Sequence, residues 1–457
     1  MDLTPREVDL FAAYLAPFLE MAGDRRTAHL LGETVRGIIG SQRLTCAQIA
    51  AFSPALAVTP SSEKRIRRML HGETTQRSEL DPDQLVAKLQ AHGVAQLQGE
   101  PHVWVIIDGS DLRKPHAAEM EHLQRVKRLH GPGTVPGYST LNVIGVGTGG
   151  RRGLLYHRLY SSHAPTFLSE PAEVRSAIRS VGAALARLVA AGTEVTEILD
   201  SGFDDQAVWG EVWDQKHHLV CRLKHRDRLV RPTPEAPRCH LADVVPRLVR
   251  RAEVATEMVV QKERQPRPKL QPVTATVASA PLVVTAQRAT PDGMVVREQD
   301  CWLVEVRLAK VRQDPWWLIT DRPVETAEQA AEVFRMYRQR WAIEDAFKTA
   351  KTCLGWEDVQ VLAYDAVRLL VALGWVATGF VFALGVSLEW PEVRLLRRLG
   401  GGEDRPNRPP GKIVLIRGLR RLLDHLATEA ILTDEVRRHG GLPPRIATLL
   451  GRPAAGF

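Results

Sequence analysis

The sequence is poor in the residues that build zinc and disulfide proteins. Only five cysteines occur among 457 residues: Cys46, Cys221, Cys239, Cys301 and Cys353. None forms a Cys-x-x-Cys pair, which excludes the common zinc patterns and leaves reduced thiols as the expected state. The fifteen histidines, His217 and His218 included, show no His-Glu-x-x-His or other paired ligand spacing, and are expected in the core or on the surface. Long uncharged runs are scarce too. Residues 369–388 hold no charge and are formally long enough to span a membrane. That run contains Gly374, Thr378, Gly379, Gly385 and Ser387 and has no second span beside it. It reads as a buried core helix, so no membrane is expected as a partner. The first residues, MDLTPREVDLF, are acidic and quickly polar, unlike a signal peptide. A cytoplasmic protein is the expectation.

What is present is a globular composition, 44% hydrophobic and 25% charged, over a length that suggests two to four domains. Lys plus Arg exceeds Asp plus Glu by 61 to 53, a formal charge of +8. The sign suits a polyanionic partner.

Residues 1–98 read as short helices. Thr4, Pro5 and Glu7 make a capping box followed by apolar residues at helical spacing, and Thr45 with Gln48 opens another helix. Residues 61–71 form a basic helix with Lys64, Arg65, Arg67 and Arg68, as expected of a helical DNA-binding domain. Residues 99–224 change period. The apolar run 102–107 is a central strand that ends at Asp108, 141–146 and 154–160 form a hairpin, and 169–191 is a long amphipathic helix. The strand 195–199 ends at Asp200, and 218–223 is a further strand. In open α/β sheets, sites form at the carboxyl ends of strands, so Asp108 and Asp200 are placed to meet if their strands are neighbours. Residues 225–312 are Pro-rich and β-rich and read as an insertion. Residues 313–398 return to the core, and 399–457 are a polar linker followed by two helical pieces, 414–428 and 431–438.

The stretch 337–351, YRQRWAIEDAFKTAK, reads as one helix that starts at a Thr326–Gln329 capping box and stops at Gly355. On a regular helix Tyr337, Arg340, Glu344 and Lys351 fall within roughly 60° of one another, beside an apolar stripe that can face a core. Three carboxylates without His or Cys suit Mg²⁺ or Mn²⁺ rather than zinc. Two such ions about 4 Å apart can activate a water or hydroxyl and stabilise the leaving oxygen of a phosphodiester. Arg340, Lys348 and Lys351 are then candidates to hold phosphates.

These residues give the chain its resemblance. It resembles the DDE transposases of bacterial insertion sequences, and within them the subgroup with a Tyr-x₂-Arg-x₃-Glu-x₆-Lys signature and a β insertion before the glutamate. Tyr337, Arg340, Glu344 and Lys351 match that signature, Asp108 and Asp200 match the strand-end aspartates, and the likeness covers roughly residues 100–390. It implies an α/β protein with an RNase H-like mixed-sheet core, flanked by an N-terminal helical domain and a C-terminal helical tail. It also implies cut-and-paste transposition with Asp108, Asp200 and Glu344 as metal ligands, with a route through hairpin ends open to the family. The implied partners are double-stranded DNA, as terminal inverted repeats and as target, and a second copy of the chain in a synaptic complex near the bacterial nucleoid. A tryptophan before the glutamate helix stacks on a flipped base in this subgroup, and Trp316 lies at the matching place beside Trp317. Two other readings stay open: a catalytically idle DNA-binding descendant, and a structure-specific nuclease on the same fold.

Overall fold

A computed structural model describes residues 5–52, 59–71, 80–260, 269–290, 293–309, 314–402 and 411–451. The helices are α1 (Pro5–Leu19), α2 (Arg25–Ser41), α3 (Cys46–Phe52), α4 (Thr59–His71), α5 (Pro82–Gln96), α6 (Glu170–Ala190) and α7 (Gln206–Asp214). They continue as α8 (Ala327–Arg338), α9 (Trp341–Lys348), α10 (Tyr364–Ser387), α11 (Trp390–Leu399), α12 (Lys412–His439) and α13 (Pro444–Leu449). The strands are β1 (His102–Arg113), β2 (Gln124–Lys127), β3 (Thr134–Gly147), β4 (Arg152–Tyr160), β5 (Glu194–Leu199) and β6 (His218–Arg222). After them come β7 (Leu229–Val230), β8 (Cys239–His240), β9 (Val249–Val260), β10 (Lys269–Thr290), β11 (Gly293–Leu308) and β12 (Trp316–Thr320).

All but the small β7–β8 pair join one ten-stranded mixed sheet, in the order β2-β3-β1-β5-β6-β12-β11-β10-β9, with β4 also paired to β3. Strands β1, β5 and β6 run parallel and the other pairings are antiparallel. Residues in β1 alternate between the two faces. Ile106 packs on one face with Ile198, Trp316 and the helices α8–α10. Val103, Val105 and Ile107 pack on the other with residues of α6 and α7. The result is a sheet between two helical layers.

Several sequence expectations change here. Strand β1 does not stop at Ile107: it pairs with β3 as far as Arg113, opposite Gly137, so Asp108 lies inside a strand. The short strand β2 escapes a periodicity reading. Within the β-rich stretch expected as an insertion, 225–312, β11 pairs with β12 from Trp302↔Thr320 to Val306↔Trp316 and so extends the main sheet. The two C-terminal helical pieces are one helix, α12, because Glu429 and Ala430 between them are good helix formers.

The first 98 residues are helical but do not stand alone. Helices α1–α5 share one apolar cluster with α10 and with Leu154 of β4. The Tyr14 hydroxyl donates to the carbonyl of Val376 at 2.8 Å, and Phe11 meets Phe380 edge-on at 4.9 Å. Gly379 makes this approach possible, because a Cβ there would lie 2.4 Å from the Tyr14 hydroxyl. Helix α10 is thus the core helix expected from its uncharged run. It is long and apolar enough to cross a membrane, yet 83% of its apolar window is buried among these elements. The Thr4 capping box lies outside the described residues.

Candidate active site

Asp108 and Asp200 are set by the parallel pair β1–β5. The pairing ends at Ile106↔Ile198, and each aspartate follows its isoleucine by two residues, so both belong to the face that carries α9. Asp108 Oδ1 accepts a hydrogen bond from the Gly109 amide at 2.8 Å. Asp200 caps a 3₁₀ turn, Ser201–Phe203, and accepts from the Gly202 amide at 2.7 Å. The buried Cys221 thiol lies against the Asp200 carbonyl.

The third carboxylate comes from α9. The Thr326–Gln329 capping box forms as expected and opens α8. The stretch 337–351, however, is no uniform helix. Between α8 and α9 the backbone bonds shorten to i→i+3: Arg340 N–H to Tyr337 O, Ala342 to Gln339 and Ile343 to Arg340. After α9 the chain loosens into a π turn, Thr349–Cys353, and Gly355 at φ 64° ends it. Arg340 stands one turn before Glu344, at the i,i+4 spacing, and so lies over the carboxylates. Its guanidinium donates to Asp108 Oδ2 at 3.2 Å and to Glu344 Oε1 at 2.7 Å. Arg340 therefore serves here as counter-ion to two of the three carboxylates.

The electrostatics follow from this crowding. Burial first, and the Asp200 charge second, push the Asp108 carboxyl up to about 7 against the pull of Arg340. Burial opposes the charge on Arg340, but Asp108, then Tyr337 and Glu344, outweigh it and hold its pKa above the usual value.

The other expected site residues are dispersed. Tyr337 is buried at 3% exposure, and burial pushes its phenol up to about 12. Lys351 donates to the carbonyl of Asp111 at 2.8 Å and lies 3.8 Å from Glu357, so it braces the end of β1 and does not touch Glu344. Lys348 is exposed at the end of α9, one turn after Glu344. Trp316, a candidate base-stacking residue by sequence, is 3% exposed. Its ring meets Phe334, Tyr337 and Trp341 at 6.4, 5.5 and 5.9 Å, so in this structure it packs beneath the glutamate helix and offers no free face to a base. Trp317 points to the opposite layer and donates to Glu305.

Lys64, Arg65 and Arg68 are exposed on α4, while Arg67 is tied to Glu63 at 2.8 Å. Arg65 shares a groove with Arg25, Arg26 and His29 of α2. Asp204 receives the amides of Lys224 and His225 and the Arg228 guanidinium, and Asp205 caps α7. Asp345 turns away from the site to Arg152 and Lys412. His217 is bonded to Glu197 in the interior.

Sequence reasoning missed the far wall of the cleft. A depression of about 850 Å³ runs from Asp108 and Asp200 past Asp111 to Arg113, Arg125 and Lys127. Its floor is acidic and its outer wall basic. The one local signal is the alternation in Gln-Arg-Val-Lys of β2, which turns Arg125 and Lys127 outward.

The donor chemistry fits a hard divalent cation. Asp108 and Asp200 bring carboxylate oxygens to one place, and a cation there would offset the burial and the Asp200 charge that raise the Asp108 carboxyl. Glu344 offers the same chemistry but is engaged by Arg340. Among the described residues, no three His, Cys, Asp or Glu side chains are already gathered as a metal cluster.

No curated protein matches the chain. A family model described as the transposase DDE domain matches residues 101–377, which span both aspartates, the glutamate helix and most of α10. More than half of the chain falls within that match, and the protein belongs to the transposase DDE domain family.

Proposed function

We propose that the chain is a cut-and-paste transposase of the insertion-sequence subgroup marked by Tyr337, Arg340, Glu344 and Lys351. In this reading Asp108, Asp200 and Glu344 hold Mg²⁺, with Mn²⁺ as substitute. Such ions, when bound, act as Lewis acids on a phosphodiester and lower the pKa of an attacking water or 3′-hydroxyl. The observation that carries the reading is the register of β1 and β5, which sets Asp108 beside Asp200 on the face that receives α9.

The chain's own residues supply the rest. Arg340 bridges two carboxylates, with one nitrogen on Asp108 and the other on Glu344. Released from them, its fork suits a phosphate oxygen pair. Arg113, Arg125 and Lys127 line the opposite wall at the spacing of a strand, where they would neutralise a phosphate backbone. Lys351 holds β1 straight below Asp111 and keeps the floor fixed. The exposed cations of α4 would bind flanking duplex. An α/β sheet covered on both faces, with its β1–β5–β6 centre parallel, supports an RNase H-like core. Two copies of the chain would hold the two element ends, and a freed 3′-hydroxyl would attack the opposite strand to give a hairpin before joining target DNA.

The test is cleavage of a labelled duplex that carries the element's own ends, with Mg²⁺, by wild type and by Glu344→Ala. Metal-dependent nicking lost in the variant is the expected result. Nicking that persists in Glu344→Ala, Asp108→Ala and Asp200→Ala alike would remove the three-carboxylate assignment.

A further inference from the structure

Helix α12 carries Arg417, Arg420 and Arg421, all exposed and spaced i, i+3 and i+4, so they share one face. Opposite them the turn at Gly400 and Gly401 and the end of α2 close a groove of about 560 Å³. The glycines are required there. A Cβ on Gly400 would lie 2.0 Å from the Val414 carbonyl, and Gly401 sits at φ 77°. Gly418 packs the two helices by the same means, since its Cβ would meet the Leu396 carbonyl at 2.0 Å.

The groove holds three guanidinium groups and one carboxylate, Asp424, which is 3.7 Å from Arg420. Arg417 and Arg421 have no ion pair among the described residues. At its inner end stands Gln42, held in the left-handed region at φ 56° as the C-cap of α2. Its Nε2 is buried and has no hydrogen-bond partner among the described residues. A buried unmatched donor beside unpaired guanidiniums is costly unless an acceptor completes it. An anionic oxygen is the acceptor that suits the whole set.

The groove also joins the site helix. Ile416 of α12 packs with Cys353 of the π turn that follows α9. Burial raises the Cys353 thiol, and Arg417 and Lys348 are both near enough to pull it back. Cationic groups therefore continue from Lys348, one turn beyond Glu344, to Arg417 and along α12.

We infer that the α2–α12 groove is a second phosphate-binding surface, which takes the sugar-phosphate backbone of duplex DNA as it leaves the carboxylate cleft past Lys348. This rests on the reading of the chain as a DNA-cutting protein, but it concerns a surface that the cleavage chemistry does not use.

The test is equilibrium binding of a short mixed-sequence duplex, fluorescently labelled, over a salt series in EDTA so that no cutting occurs. The full chain is compared with the doubles Arg417→Ala/Arg421→Ala and Arg417→Lys/Arg421→Lys, and with the single Arg421→Glu. Each lost phosphate contact flattens the slope of log K against log salt by about 0.9. The alanine double should therefore flatten it by about 2 and weaken binding several-fold at low salt. The lysine double should retain both, and Arg421→Glu should weaken binding further than removal of one charge would. An unchanged slope in the alanine double, or equal loss with lysine and alanine, would overturn the inference. Cleavage by wild type with groove-independent binding would sink the groove alone. Groove-dependent binding without any Mg²⁺- or Mn²⁺-dependent cutting would sink the proposed function and leave the groove standing.

Discussion

Asp108, inside β1, and Asp200, just past the end of β5, each lie two residues beyond the last paired isoleucines of these adjacent parallel strands. Neither side chain has a cation other than Arg340 within ion-pair distance among the described residues, and Arg340 reaches only Asp108. Like charges held together in this way make each other costly. In the absence of divalent cation, Asp200→Asn is therefore expected to leave the melting temperature unchanged or raise it, while abolishing metal-dependent cleavage. A clear fall in thermal stability would overturn the repulsion argument, because Asn keeps the Oδ1 acceptor that caps the 3₁₀ turn.

Arg340 answers for two carboxylates at once. Its removal in Arg340→Ala strips Asp108 of its cation and should cost about 1–2 kcal/mol, less than a fully buried pair because Glu344 is half exposed. Mg²⁺ should recover more stability in this variant than in wild type. Urea unfolding with and without Mg²⁺ measures both effects. Equal Mg²⁺ stabilisation of the two proteins would count against a cation binding where the guanidinium now sits.

Trp316 is expected to behave as a core residue. Trp316→Ala should lose about 3–5 kcal/mol of stability, and Trp316→Phe considerably less, because the aromatic contacts with Phe334, Tyr337 and Trp341 are partly kept. Denaturant unfolding decides this. Wild-type stability in Trp316→Ala, with cleavage lost, would return the residue to a base-stacking role.

His157 gives the fold a pH dependence. The ring is buried at 3% exposure between Trp356 and Trp375, and one nitrogen bonds to Asn142 Oδ1 at 2.7 Å. Burial depresses its pKa to about 3. The unfolded chain, with a histidine near 6.5, then takes up the proton that the folded chain refuses. Stability from this group is complete above about pH 6.5 and falls by about 1.4 kcal/mol per pH unit down toward 3, so about 2 kcal/mol is lost by pH 5. His157→Gln should flatten the stability profile between pH 7 and 5. An identical profile would show that the ring titrates normally in the folded protein.

The apolar strand run before Asp108, the strand that ends just before Asp200, the capping box at Thr326 and the core helix α10 were legible in the sequence. Each is written in a local pattern: an apolar run, a polar pair three residues apart, a stretch with no charge. The departures are non-local. Nothing in a 3.6-residue period marks the switch to i→i+3 bonds at Arg340. The burial of Trp316 depends on where α8 and α9 land. The basic wall was unread because Arg113 lies beyond the aspartate that was expected to end its strand, and β2 is only four residues long.

The bond from Tyr14 to Val376 has a consequence for how such a protein can change over time. A head that is folded into the body cannot be exchanged as a cassette. A recombination joint near residue 98 would leave Gly379 and Phe380 facing a void where Tyr14 and Phe11 had been. Change in the first 98 residues must then come by substitution on the exposed sides of α1–α5, one residue after another, with the inward sides held constant.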